Sequence, residues 1–421
     1  AAAEMKERIR GAIEKKLEEE PDNEHLKQQA TLIHNARITT IHSFCLSVIR
    51  DHFPMIGLDP AFRIGEEGEL KLLRHDVLDE LLEEEYTEGR SQFLDFVSAY
   101  GTGKNDKKIE ELILKVYEYS RSYPDAQEWL HECVKGYELE NLDELEESPY
   151  VDLLKMYVEL YLEDARARLY QGIEICREDS GPYMYEDALE DDLRMVERVL
   201  GAETYQGLSE YMGDISWMKL PPNRDKTVSS DKADQVKLIR DEVKELMKEL
   251  NQQYFYAEPE IILKDIKGCQ PMVRELTSLV EKFAERFEEK KRTKNMIDFS
   301  DMEQYAMKIL TEKTEGGFCP TAAAEEYQEQ FLEIMIDEYQ DSNLIQETIL
   351  TSVSRYSRGE YNIFMVGDVK QSIYRFRLSR PELFMEKYDT YSTEDSDTQR
   401  IDLHTVSYTH LRAHETRHDL V

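Results

Sequence analysis

The 421 residues carry 53 lysines and arginines against 89 aspartates and glutamates, a formal net charge of −36, and 40% of them are hydrophobic. That apolar share suits a helix-rich globular core and excludes a disordered chain, while the acidity argues against nucleic acid binding over the whole surface and leaves room for a narrow track. No apolar run approaches the roughly 18 residues a membrane span needs, so no membrane partner is expected, and five scattered cysteines suit a reducing, cytoplasmic setting.

Residues 1–30 place Met5, Ile9 and Ile13 at a spacing of four among charges, which predicts a surface helix broken near Pro21. The opening Ala1-Ala2-Ala3-Glu4-Met5 reads as a cut point in a longer protein. The β-branched run Ile38–Ile41 predicts a buried strand end. A helix is expected from Ser43 to a stop at Pro54, then a short strand at Phe62-Arg63-Ile64. Residues 70–290 read almost entirely as amphipathic helices with acidic faces, such as LLRHDVLDELLEEEY and VDLLKMYVELYLEDARARLYQGIEICRE. Their linkers hold Gly, Pro and Ser, and no fixed period suggests a solenoid. The five cysteines form no CxxC pair, which argues against a zinc or iron–sulfur centre.

After Asn295 the pattern changes. Ser300 and Glu303 have the spacing of a capping box at a helix start. Two apolar runs follow, Phe331–Ile336 and Tyr361–Val366, separated by the helical stretch NLIQETILTSVSRYS. Strand, crossover helix and strand predict a parallel α/β sheet buried on both faces.

The first run ends in Asp337 and Glu338, at the carboxyl edge where open α/β sheets bind ligands. Adjacent strand residues point opposite ways, so one carboxylate can hold Mg²⁺ while the next orients an attacking water. The bland alternative is a solvated acidic strand end. The second run leads into Gly367-Asp368-Val369-Lys370-Gln371-Ser372-Ile373-Tyr374-Arg375-Phe376-Arg377. Gln371 offers a neutral amide to a terminal phosphate. Tyr374 and Phe376 alternate with Arg375 and Arg377, a pattern suited to stacking bases and gripping phosphates, or else to core aromatics beside surface arginines.

These two segments, DEYQD and GDVKQSIYRFR, resemble the Walker B element and motif III of UvrD/Rep-type superfamily 1 DNA helicases. AAAEMKERI resembles the end of motif Ia, Thr39–Cys45 (TTIHSFC) resembles motif Ib, and Ile297–Asp301 (IDFSD) resembles the LDFxDL element. Within the group, TTIHSFC, DFSDM and VKQSIYRFR are most similar to the AddA helicase–nuclease family. The resemblance implies ATP and Mg²⁺ as cofactors, with Asp337 on the metal, Glu338 activating water and Gln371 on the γ-phosphate. It implies that Thr40, His42, Tyr374, Phe376 and Arg377 line single-stranded DNA, and that Arg375 helps couple nucleotide to DNA. Asp298 and Asp301 are expected to cap a helix, with no DNA role.

The resemblance further implies a 3′→5′ translocase acting on DNA ends in double-strand break repair with an AddB-like partner. Its fold implication is α/β: part of a RecA-like (P-loop NTPase) parallel sheet, with residues 1–69 and 291–405 flanking a helical insertion at 70–290. No G-x-x-x-x-G-K-[ST] loop occurs. The chain is therefore expected to be inactive alone, with a sheet edge left unpaired. Residues 406–421 depart from the family and read as a non-native, adapter-derived tail. Two alternatives stay open: a UvrD- or Rep-like helicase without a nuclease, and an acidic helical interaction module.

Overall fold

Amphipathic periodicity prevails over most of the length, and the result is a chiefly helical protein with three short, two-stranded β pairings among the described residues. The computed structural model describes residues 2–33, 36–101, 106–372 and 378–403. By their internal contacts the residues divide into two compact units: Ala1–Gly89, Tyr100–Trp129 and Leu279–Val421 in the first, and Arg90–Ala99 with Leu130–Ser278 in the second. No helix among the described residues is long and apolar enough to cross a membrane.

In the second unit the Pro149–Arg177, Glu186–Leu200 and Ser230–Tyr254 helices bury one face each around Leu154, Val158, Leu189, Val196, Val236 and Val243. Inside that core Arg240 donates to both carboxylate oxygens of Asp192 and to the Met218 carbonyl, so the buried cation has no unmet charge partner.

In the first unit the Ala2–Glu19 and Glu24–Leu32 helices flank Pro21, and neither has a buried residue. Ile38–Thr40 is not a strand. Thr40 instead N-caps the Ile41–His52 helix, its side chain accepting from the Ser43 N–H, because a β-branched hydroxyl residue with extended backbone serves a helix start equally well. The Phe299–Leu310 and Leu344–Val353 helices pack with Ile41–His52 around Val48, Ile49, Ala306, Ile309, Ile345 and Ile349. Arg63–Ile64 pairs in parallel with Met296–Ile297. A hairpin, Thr311–Thr314 with Gly317–Pro320, turns through Glu315-Gly316, and Gly317 supplies a φ of +111° that other residues rarely adopt.

The capping box is set at Asp298 and Asp301, not at Ser300 and Glu303. Asp298 accepts from the Asp301 N–H at 2.8 Å while Asp301 accepts from the Asp298 N–H at 2.9 Å. Lys291, 1% exposed, bonds both carboxylates, and Arg121 pairs with Asp301 at 3.0 Å. Burial alone would pull the Lys291 pKa down, but Tyr117 and the two aspartates prevail and push it up.

The two apolar runs form a parallel pair, Ile334–Ile336 with Ile363–Met365, joined through the Leu344–Val353 helix. Each strand is three residues long rather than six. The expectation of burial on both faces is corrected here: Met335 is 72% and Phe364 55% exposed, so one face of this pair is open.

Candidate functional site

The parallel register Ile336↔Met365 makes the chain leave both strands at the same edge. There the Tyr339 N–H donates to the Val366 carbonyl at 2.9 Å, so Asp337 and Glu338 bulge past the last paired residues, both exposed. Asp337 Oδ1 accepts from the Glu338 N–H at 3.1 Å. Glu338 has a φ of +54°, a left-handed conformation that costs a non-glycine residue about 1–2 kcal/mol and often marks a working position.

Gln340 holds this turn. It is fully buried, donates from Nε2 to Glu338 Oε2 at 2.6 Å, and accepts at Oε1 from the Asp368 N–H at 3.0 Å. Asp368 in turn accepts from Gln371 Nε2 at 3.0 Å, and its backbone carbonyl takes the Gln371 N–H at 2.9 Å. Glu338, Gln340, Asp368 and Gln371 thus form one hydrogen-bonded chain across two strand ends. Gly367 lets Gln340 pass: a Cβ there would lie 2.6 Å from its Oε1. Sequence reasoning missed Gln340, although its position between two acids of DEYQD was the available signal.

Three carboxylates gather in five residues. Burial, and then the charge of Glu338, push the Asp341 pKa up, and Asp341 Oδ1 is buried with no hydrogen-bond partner. The three acids do not converge on one point among the described residues, so it is Asp337, exposed at the strand end, that is placed to offer Mg²⁺ a hard carboxylate oxygen.

The second group of sequence candidates lies at the start of the Ile41–His52 helix. Thr40 is exposed, but its hydroxyl is occupied with Ser43. His42 is half-buried, with its ring edge-on to Phe299 at a centroid distance of 5.8 Å. Phe299 is 62% exposed, an aromatic face left in solvent at a helix N-terminus. It was missed because IDFSD reads first as a cap. A cleft of about 450 Å³ runs past it, lined by Leu70, Arg74, Tyr117, Arg121 and Ser300. The Nε atoms of Arg74 and Arg121 are buried there without partners. Tyr374, Arg375, Phe376 and Arg377 lie outside the described residues.

Comparison with known proteins gives a consistent result. The profile described as UvrD/REP helicase N-terminal domain matches residues 1–392. An ATP-dependent helicase/nuclease subunit of the AddA type from Lachnoclostridium phytofermentans is 46% identical over 408 residues, 96% of this chain and 30% of its own length. Proteins of the same name from Anoxybacillus flavithermus and Geobacillus thermodenitrificans are 40% and 39% identical, each over 96% of this chain and over 34% and 33% of their own lengths. The chain therefore spans about a third of the length of the curated relatives it matches.

Proposed function

The chain belongs to the UvrD/REP helicase N-terminal domain family, and from that premise we propose that it forms part of an ATP-driven motor that moves along single-stranded DNA. The observation that carries this reading is the Gln340 clamp, which joins the acids of one strand end to Gln371 of the other. Asp337 would hold Mg²⁺ directly or through water. Glu338, oriented by Gln340, would take the proton of the attacking water, and Gln371 would meet the terminal phosphate. When bound, Mg²⁺·ATP supplies the phosphoryl group and the charge neutralisation its transfer needs. His42 and Phe299 would border the DNA strand, with Phe299 offering a base-stacking face.

The finer parts of the proposal are those the motif resemblance implies. They are a RecA-like sheet built around the Ile334–Ile336 and Ile363–Met365 pair, an inserted helical subdomain over residues 70–290, 3′→5′ movement, work at DNA breaks with an AddB-like companion, and a cytoplasmic location. The 421-residue chain, having no phosphate loop of the G-x-x-x-x-G-K-[ST] type, should not turn over ATP by itself.

Glu338→Gln in a full-length protein carrying these residues tests the reading. DNA-stimulated ATP turnover should fall roughly 10²–10⁴-fold, as expected for loss of a general base, with nucleotide binding kept. Unchanged turnover would reject the motor and favour an acidic interaction module.

A further inference from the structure

Between the His42 end of the Ile41–His52 helix and the turn that follows the site acids stands one buried carboxylate. Glu303, on the Phe299–Leu310 helix, is 6% exposed. Its Oε1 accepts from Gln346 Nε2 at 2.6 Å and lies 3.4 Å from His42 Nε2. Its Oε2 accepts from Asn343 Nδ2 at 3.3 Å. Asn343 also N-caps the Leu344–Val353 helix, its Oδ1 taking the Gln346 N–H at 2.9 Å. That cap follows the Tyr339–Asp341 turn with only Ser342 between. One carboxylate thus meets two segments to which the motor reading gives separate tasks, DNA contact on one side and nucleotide chemistry on the other. Stranding a buried carboxylate is unfavourable, so displacement of the 343–346 segment breaks carboxylate hydrogen bonds unless Glu303 follows, and a shift of Glu303 changes what His42 Nε2 meets 3.4 Å away.

We infer that Glu303 is a positioning residue that transmits DNA occupancy at the Thr40–His42 segment to the 337–343 turn. The inference rests on the motor reading and adds to it a route between the two halves of the site. Glu303 acts through His42 on one side and through Asn343 and Gln346 on the other. A carboxylate that only held the core together would, when replaced, lower folding stability and every activity alike. A transmitting carboxylate gives a split, because the coupling between two sites is a free energy separate from either binding step.

The test is Glu303→Gln in a full-length protein carrying these residues, with steady-state ATP turnover read with and without oligo(dT). Basal turnover and the melting curve should stay near those of the parent, while the DNA-stimulated kcat falls about tenfold. Gln346→Ala cuts the same link from the other side and should give the same split in turnover, with a lower melting temperature because Glu303 Oε1 loses its hydrogen-bond donor; it carries the test alone should the first variant not fold. The double variant should lose no more stimulation than the worse single variant. Stimulation kept in both variants overturns the inference, and so does an equal loss with and without DNA. A parent protein that DNA does not stimulate would sink the motor reading itself, so the two failures are distinguishable.

Discussion

Gly367→Ala tests the architecture of the site without touching a proposed catalytic group. The added Cβ would stand 2.6 Å from Gln340 Oε1 and 3.0 Å from Phe384 Cε2. Gln340 is fully buried and pinned at both ends of its amide, so no free side-chain end is available to swing aside. Relief requires the amide to withdraw. That gives up a hydrogen bond to a carboxylate, about 1.5–3 kcal/mol, and a neutral one, about 1 kcal/mol. The narrower unfolded ensemble of alanine offsets about 0.4–1 kcal/mol. The net local destabilisation is then about 2–3 kcal/mol. Hydrogen–deuterium exchange reads this directly: amides of 337–341 and 363–369 should exchange roughly 30- to 100-fold faster at about 1.4 kcal/mol per decade, while peptides of the Pro149–Arg177 helix stay as before. Gln340→Ala should reproduce most of the effect, and the pair of changes should be far from additive. Parent-like exchange at both strand ends in Gly367→Ala would refute the clamp.

Further outcomes follow from the other observations. Lys291→Met leaves Asp298 and Asp301 facing each other in a buried cap with Arg121 as their remaining cation, and should destabilise the first unit by about 3–5 kcal/mol in a denaturant melt. Burial pushes the Asp298 carboxyl up, but the Lys291 charge and its hydrogen bonds win and bring it from the ordinary 3.8 down to about 2. A depressed carboxyl stabilises the fold above its unfolded value, so this contribution should be lost as the pH falls from about 4 to about 2. Asp301 moves the other way, because burial and then the Asp298 charge outweigh its cations, so its own penalty is relieved as the pH falls and the carboxyl takes up its proton. An acid titration comparing parent with Lys291→Met should show the lower step missing from the variant; an identical profile would count against it. Phe299→Ala should weaken oligo(dT) binding by about 1–3 kcal/mol in fluorescence anisotropy if a base stacks there, and unchanged affinity would remove Phe299 from the DNA track.

The strand–helix–strand unit was legible because Phe331–Ile336 and Tyr361–Val366 are apolar runs that stop at polar clusters. The lengths and exposure of its strands were not, since a run of apolar residues does not reveal how many neighbours cover it. The helix start near residue 300 was legible, and so were Asp298 and Asp301 as its capping residues, but Ser300 and Glu303 were read as a box as well. Ser300–Glu303 and Asp298–Asp301 have the same spacing, and the choice is settled by Lys291 and by Arg121, the latter 180 positions from Asp301 in sequence. Ile38–Ile41 misled because β-branched residues fit a strand by propensity, whereas the Thr40 hydroxyl fits a cap by chemistry. At the site, spacing suggested that Asp337, Glu338 and Gln371 lie close together. The Gln340 bridge and the Glu303 relay depend on which side chains end up buried between elements, and no local pattern encodes that.

The central claim is that Asp337, Glu338 and Gln371 belong to a single metal-nucleotide pocket. Crystals of a full-length protein carrying these residues, grown with Mn²⁺ and a non-hydrolysable ATP analogue, would test it by anomalous scattering. The claim requires a manganese peak within coordination reach of the Asp337 carboxylate, with the terminal phosphate near Gln371. A manganese–nucleotide complex seated elsewhere, with both strand ends empty, would contradict it.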